Sequence, residues 1–99
     1  MKIVGVTACP TGIAHTYMAA ENLEKAAKAA GHQIKMETQG AMGIENELTA
    51  ADVKNADVVI FAVDIEVEKK ERFEGKKVIK VGVTEAIKNP NGVLARASG

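Results

Sequence analysis

Short apolar runs alternate along the chain with segments whose apolar residues recur every three or four positions. "KIVGVTA" (Lys2–Ala8) is brief, β-branched and nearly all apolar, the pattern of a strand buried on both faces. From Ile13 to Ala30 the chain is rich in Ala, Glu, Lys and Leu, and Ile13, Tyr17, Ala20, Leu23, Ala27 and Ala30 fall on one helical stripe. Glu21 and Lys25 stand one turn apart on the polar side, and Gly31 is placed to end the helix. "HQIKMET" (His32–Thr38) alternates, which predicts an edge strand with one solvated face, and "QGAMGIENEL" follows as loop. Thr49 and Asp52 form an acidic capping box for the short helix "AADVKN". "DVVIFAVD" (Asp57–Asp64) is the most apolar stretch and the candidate central strand. The charged segment Glu66–Phe73 predicts a short exposed helix closed by Gly75, and "KKVIKVGV" gives a fourth strand. "TEAIKN" begins a last helix that Pro90, Asn91 and Gly92 interrupt, leaving "VLARASG" as a helix end or the start of a linker.

Strands alternating with helices over short connections predict βαβ units with right-handed crossovers. The expected fold is α/β: a doubly wound three-layer sandwich with a four-stranded parallel sheet in the order 2-1-3-4, spanning residues 1–99 as one domain. Ligands of such sheets bind beyond the carboxyl ends of the strands, where the strand order reverses. That point lies beside the end of the first strand, and Cys9 occupies it.

Composition narrows the chemistry. Formal net charge is zero, so there is no basic face for nucleic acid, and Tyr17, Phe61 and Phe73 are too few aromatics for a base-stacking platform. The single cysteine excludes an internal disulfide, a CxxC redox pair and a thiolate metal cage, and no metal or cofactor is expected. The N-terminus runs straight into strand pattern without a leader, and no apolar run approaches the roughly 18 residues that span a bilayer. The expected compartment is the cytoplasm, with any membrane role reached through a partner.

"ACPTGIAHT" places that cysteine between a strand tip and a helix start. A helix N-terminus offers unpaired N–H groups and the positive end of the macrodipole, which favour phosphate and stabilise a thiolate. Pro10 fixes the chain direction, Thr11 can cap the helix, and Gly12 permits close backbone approach to a ligand. His15 and Thr16 fall in the first turn. The alternative is a cysteine that is merely a small buried hydrophobe. A Walker loop and a GxGxxG fingerprint are both absent. A cysteine-dependent phosphatase closes a similar loop with arginine, whose planar guanidinium clamps phosphoryl oxygens. Here no arginine precedes Arg72, and His15 and Thr16 hold the closing positions. Such a loop suits a carrier that passes phosphate on rather than a hydrolase.

"ACPTGIAHTYMAAENLEKAAKAAGHQIKMETQG", continued through "VIFAVD" and "FEGKKVIKV", resembles the fructose-specific enzyme IIB domain of the bacterial phosphoenolpyruvate-dependent sugar phosphotransferase system (PTS). The resemblance implies that Cys9 accepts a phosphoryl group from a phosphohistidine of a IIA partner and passes it to a sugar held by a membrane IIC permease. Fructose is the family default; other hexoses or a mannosylglycerate-like substrate remain open. It further implies that Pro10, Thr11, Gly12, Ile13, Ala14, His15 and Thr16 form the phosphate loop, and that the domain works at the inner face of the membrane through its permease. A small cysteine phosphatase and a regulatory module switched by Cys9 phosphorylation are the competing functions.

Other polar positions carry weaker signals. Glu37, Gln39 and Gly40 close the second strand on the same sheet edge as Cys9, where they either shape the site, dock a partner or simply form a strand end. Asp64 ends the third strand there too, although a carboxylate touching phosphate would repel it. "EVEKKERFEGKK" is expected to be a solvated face. Met36 and Met42 are candidates for a partner surface, and Met18 is expected in the core.

Overall fold

The computed structural model describes residues 1–9, 13–40 and 43–98. In chain order the elements are β1 (Lys2–Ala8), α1 (Ile13–Ala29), β2 (Gln33–Gly40), β3 (Gly43–Glu45), α2 (Ala50–Asn55), β4 (Val58–Val63), a 3₁₀ turn (Lys70–Phe73), β5 (Val78–Val81), α3 (Val83–Lys88) and α4 (Pro90–Ser98). They build one sheet in the order β3-β2-β1-β4-β5. β1 runs parallel to both β2 and β4, and β4 parallel to β5.

The expected four-stranded parallel sheet is therefore corrected to five strands. The fifth, β3, pairs antiparallel with the end of β2 through Thr38 with Glu45, Gln39 with Ile44 and Gly40 with Gly43. Three residues are too few to show a period, and the return is set by backbone that sequence pattern does not report: Gly43 at φ 88° and Asn46 at φ 53°. The added strand also changes β2. It runs on to Gly40, and Met36, Glu37, Thr38 and Gln39 are all buried, so its second half is not a solvated edge.

Strand alternation divides the core in two. Ile3 and Cys9 pack with Ala19, Leu23 and Ala27 of α1, with Val83 and Ala86 of α3, and with Val93 and Leu94 of α4. Val4, Val6 and Ala8 pack on the opposite face with Leu48, Val53 of α2, Val67 and Phe73. Gly5 is required by this packing: a Cβ there would stand 2.5 Å from the Met36 sulfur and 3.0 Å from the Ile60 carbonyl oxygen.

Helix ends follow local chemistry. Thr49 and Asp52 form the expected capping box, each side chain accepting from the other's backbone N–H. Lys35 reaches the same carboxylate and, with Thr49, draws Asp52 down to about 2. Gly31, at φ 82°, ends α1 with its own N–H on the Lys28 carbonyl and the next N–H on Ala27, a Schellman closure.

Other expectations are revised. The helix begun at Val83 does break before Pro90, at Asn89, but Pro90 then opens α4 at the first helical position, where Asn89 accepts from the Gly92 N–H at 3.3 Å. The tail through Ser98 is thus helix. Between Glu66 and Phe73 only the last four residues are helical, in 3₁₀ form, after Lys69 at φ 58°. The α1 stripe holds at Ala20, Leu23 and Ala27, which face the core with Ala19, but fails at its ends, where Tyr17 and Ala30 are exposed, as is Met18. Met18 is therefore not a core residue, because small alanines let α1 lie close on the sheet and leave no room for it beneath.

Gly5→Ala is expected to destabilise the fold by about 1–3 kcal/mol, the cost of overpacking. A fall in the urea midpoint at unchanged slope checks this; an unshifted midpoint would show that Met36 relaxes freely.

Candidate functional site

Cys9 leaves the carboxyl end of β1 and is 5 % exposed. β1 lies between two parallel neighbours, so the chain departs to β2 on one side and returns to β4 on the other, which puts the reversal of strand order at this point. The Asp64 N–H donates to the Ala8 carbonyl at 2.9 Å and ties the end of β4 to the residue before the sulfur.

α1 starts four residues after Cys9 and runs for 17 residues with no acidic side chain in its first turn. The positive end of its dipole is therefore not cancelled locally. Beneath it, the Thr7 hydroxyl donates to the Thr16 carbonyl at 3.2 Å, both residues being buried, and joins strand to helix. Ala14 and His15 are exposed. Pro10, Thr11, Gly12 and the side chain of Ile13 lie outside the described residues, as does Met42. Tyr17, one turn into α1, donates its hydroxyl to Glu45 of β3; that bond, then burial and the glutamate's charge, raise the phenol above its usual range.

The remaining candidates serve other partners. Glu37 and Gln39 stand level with Val6 and Ala8 and share their face of the sheet, opposite the core that Cys9 joins. Glu37 is wholly buried. It accepts from both terminal nitrogens of Arg72 at 2.8 and 3.0 Å, from the Leu48 N–H at 2.9 Å and from Gln39 at 2.6 Å. The Gln39 amide also grips the backbone of Glu68, donating to its carbonyl at 3.1 Å and accepting from its N–H at 2.8 Å. Burial alone would raise the Glu37 carboxyl; hydrogen bonds from Arg72, Leu48 and Gln39 outweigh it and hold the group below its usual value. Gly40 pairs with Gly43 in β3. Asp64 is exposed and accepts from the Val83 N–H at 3.2 Å, capping α3. Met36 is buried against Gly5.

The charged run is thus not purely a solvated face: Arg72 is largely buried, stacks its guanidinium 4.8 Å from the Phe73 ring, and fastens the 3₁₀ turn to β2. Sequence reasoning missed this pair. Its one signal was an arginine beside Phe73 in a run otherwise built with lysine, the choice for a bidentate, aromatic-stacked contact. Among the described residues no three His, Cys, Asp or Glu side chains converge as metal ligands would. Nor, among them, is any helix long and apolar enough to cross a membrane.

A buried cysteine at the switch point of a parallel sheet, four residues before a helix begins, marks an α/β domain of the kind that meets its ligand at that point. Residues 4–96 match the family described as "PTS system, Lactose/Cellobiose specific IIB subunit", and the chain belongs to the PTS IIB family. Within it the chain is similar to the "PTS system fructose-like EIIB component 2" of Escherichia coli (strain K12), 54 % identical over 95 residues, covering 96 % of this chain and 90 % of that one. It is 50 % identical over 96 residues to part of the "PTS system fructose-specific EIIABC component" of Bacillus subtilis (strain 168), covering 97 % of this chain and 15 % of that protein. Among solved structures, a domain of the fructose-specific IIABC component of Borrelia burgdorferi superimposes with a TM-score of 0.92 at 52 % identity, over 96 % of this chain and 90 % of that one. As a PTS IIB component, the chain is a phosphotransfer domain of sugar transport.

Arg72→Ala would strand a buried carboxylate and is expected to cost about 3–5 kcal/mol at neutral pH. Because the folded Glu37 lies below its ordinary value of 4.5, its contribution is present above that value and lost as pH falls through the folded one. Without Arg72, burial dominates and raises the carboxyl, so acid unfolding should begin at a higher pH. Circular dichroism across an acid titration checks this; coincident wild-type and variant curves would contradict it.

Proposed function

We propose that Cys9 is the phosphoryl carrier. Its sulfur attacks the phosphorus of a phosphohistidine on a IIA partner; the S–P bond forms, the P–N bond breaks, and the thiol proton ends on the departing imidazole. A hydroxyl of a sugar held by the IIC permease then attacks the same phosphorus. The O–P bond forms, the S–P bond breaks, and the sulfur recovers the equivalent of the proton that the hydroxyl gives up. Fructose is the proposed sugar, in keeping with the names of the relatives.

The observation that carries this reading is the placement of Cys9 between the end of a fully enclosed strand and the N-terminus of a helix with no acid in its first turn. A phosphoryl group on that sulfur would meet backbone N–H groups and the positive dipole end, so stabilisation comes from fixed positive partial charges in place before transfer. Pro10 to Thr16 are the proposed phosphate loop, with Thr11 and Thr16 as hydroxyl donors and His15 at its exposed rim. Positioning and electrostatics are what such a transfer needs from a protein.

Hydrolysis is disfavoured by where the arginines stand. Arg72 is committed to Glu37 on the other sheet face, and Arg96 pairs with Glu85 at 3.0 Å. Neither is held in reserve as a phosphoryl clamp. The B. subtilis relative, whose name joins A, B and C, supports donor and permease partners for this domain and a place at the cytoplasmic face of the membrane.

In a mixture of phosphorylated donor, this protein, and membranes bearing the permease, sugar phosphate should form with the wild type and fall to background with Cys9→Ser. Equal formation by the variant would overturn the assignment. Rapid turnover of an aryl phosphate by the wild type would replace it with a phosphatase, and stable labelling without sugar phosphate would replace it with a regulatory module.

A further inference from the structure

The buried polar side chains among the described residues fall into two groups. Glu37 and Gln39 belong to the network with Arg72; Thr7, Thr16 and Thr38 do not. Met36 packs over Gly5 in the core that contains Cys9 and α1. Alternation puts Thr7 and Thr38, each two residues further along its strand, on that same face and level with each other. Ala62 stands level with Thr7 on the other side. The floor under the start of α1 is therefore a row of small and hydroxylated side chains, whereas the rest of this face is apolar.

Thr7 is completely covered, and its hydroxyl donates to the Thr16 carbonyl at 3.2 Å. Valine would fill the same space in a β-strand without a polar atom to satisfy. Thr16 lies in an α-helix, where the ladder already claims each carbonyl. A second donor brought there by a buried hydroxyl contributes little that valine packing would not. What it adds is direction: a hydrogen bond fixes rotation and slide of α1 over β1, which apolar contact leaves loose.

We infer that Thr7 is a positioning residue for transfer at Cys9, a role that rests on the function proposed above. It lies two residues before the sulfur on the same strand face, and it grips α1 just inside the turn whose N–H groups would meet the phosphoryl group. Through Thr16 it holds the helix N-terminus in register with the sulfur. Displacement of a catalytic array by about 1 Å costs on the order of 100-fold in rate.

The test compares Thr7→Val and Thr7→Ser in the full chain, following phosphoryl transfer from a phosphorylated IIA donor. Thr7→Val should melt cooperatively near the wild type and accept phosphoryl about 10- to 100-fold more slowly, with kcat lowered and KM for the donor unchanged. Thr7→Ser, which restores the hydroxyl, should recover most of the rate. Should the valine variant fail to fold, Thr7→Ala against Thr7→Ser asks the same question, since they differ by one hydroxyl. A valine variant that transfers at the wild-type rate, or a serine variant no faster than alanine, would overturn the inference. A wild type that takes no label on Cys9 would instead defeat the function on which it rests.

Discussion

β1 has no free edge and no free face. It is hydrogen-bonded to parallel partners on both sides and covered by a core above and below. A strand so enclosed can meet a ligand only at its ends, and the features around Cys9 are arranged at the carboxyl one. Gly5 accepts Met36 so that β2 can lie flush; Thr7 meets α1; Ala8 accepts from Asp64; and Cys9 is the first residue to leave the sheet. The parallel arrangement also fixes where the following helix starts, because α1 must begin at the same end to cross back over the sheet. Sulfur and helix N-terminus are neighbours as a consequence of topology.

The two faces of the sheet divide the remaining work. On the face away from Cys9, a buried carboxylate with four donors ties β2 to the segment before α2 and to the 3₁₀ turn. That face has less helix to cover it, and Glu37, Arg72, Gln39 and the Phe61–Phe73 edge contact at 5.2 Å compensate with directional bonds. On the face of Cys9, three helices pack through alanine, valine and leucine, and among the described residues the only buried polar side chains there are hydroxyls beneath the start of α1. The buried charge among the described residues thus stays on the face away from Cys9, and a buried anion is kept off the face of the sulfur.

Much of this was legible in the chain. The strand at Lys2–Ala8, the Thr49–Asp52 box and the glycine closure at Gly31 are local devices whose residues name their conformation. Cys9 stands out because a strand end, a proline, a glycine and a helix start coincide around the only cysteine. The misses share a different cause. β3 rests on positive φ values and on pairing with a strand already formed, neither of which a three-residue pattern reveals. Glu37 and Arg72 are 35 residues apart and each looks solvated by itself; burial is a property of the pair. Pro90 reads as a breaker until Asn89 is recognised as the cap that makes it a first residue. Met18 reads as core by its apolar side chain alone, but it stands off the stripe through Ala20, Leu23 and Ala27 that faces the sheet.

The central claim is that the phosphoryl group in transit is carried by sulfur at the end of β1. It is tested most directly by exposing the protein to a phosphorylated IIA donor, digesting under conditions that preserve phosphoramidates and thiophosphates, and locating the modification by mass spectrometry. The account predicts a single phosphoryl group on the peptide containing Cys9, bonded to sulfur. A phosphoryl group found on His15 or His32, or none at all, would contradict it.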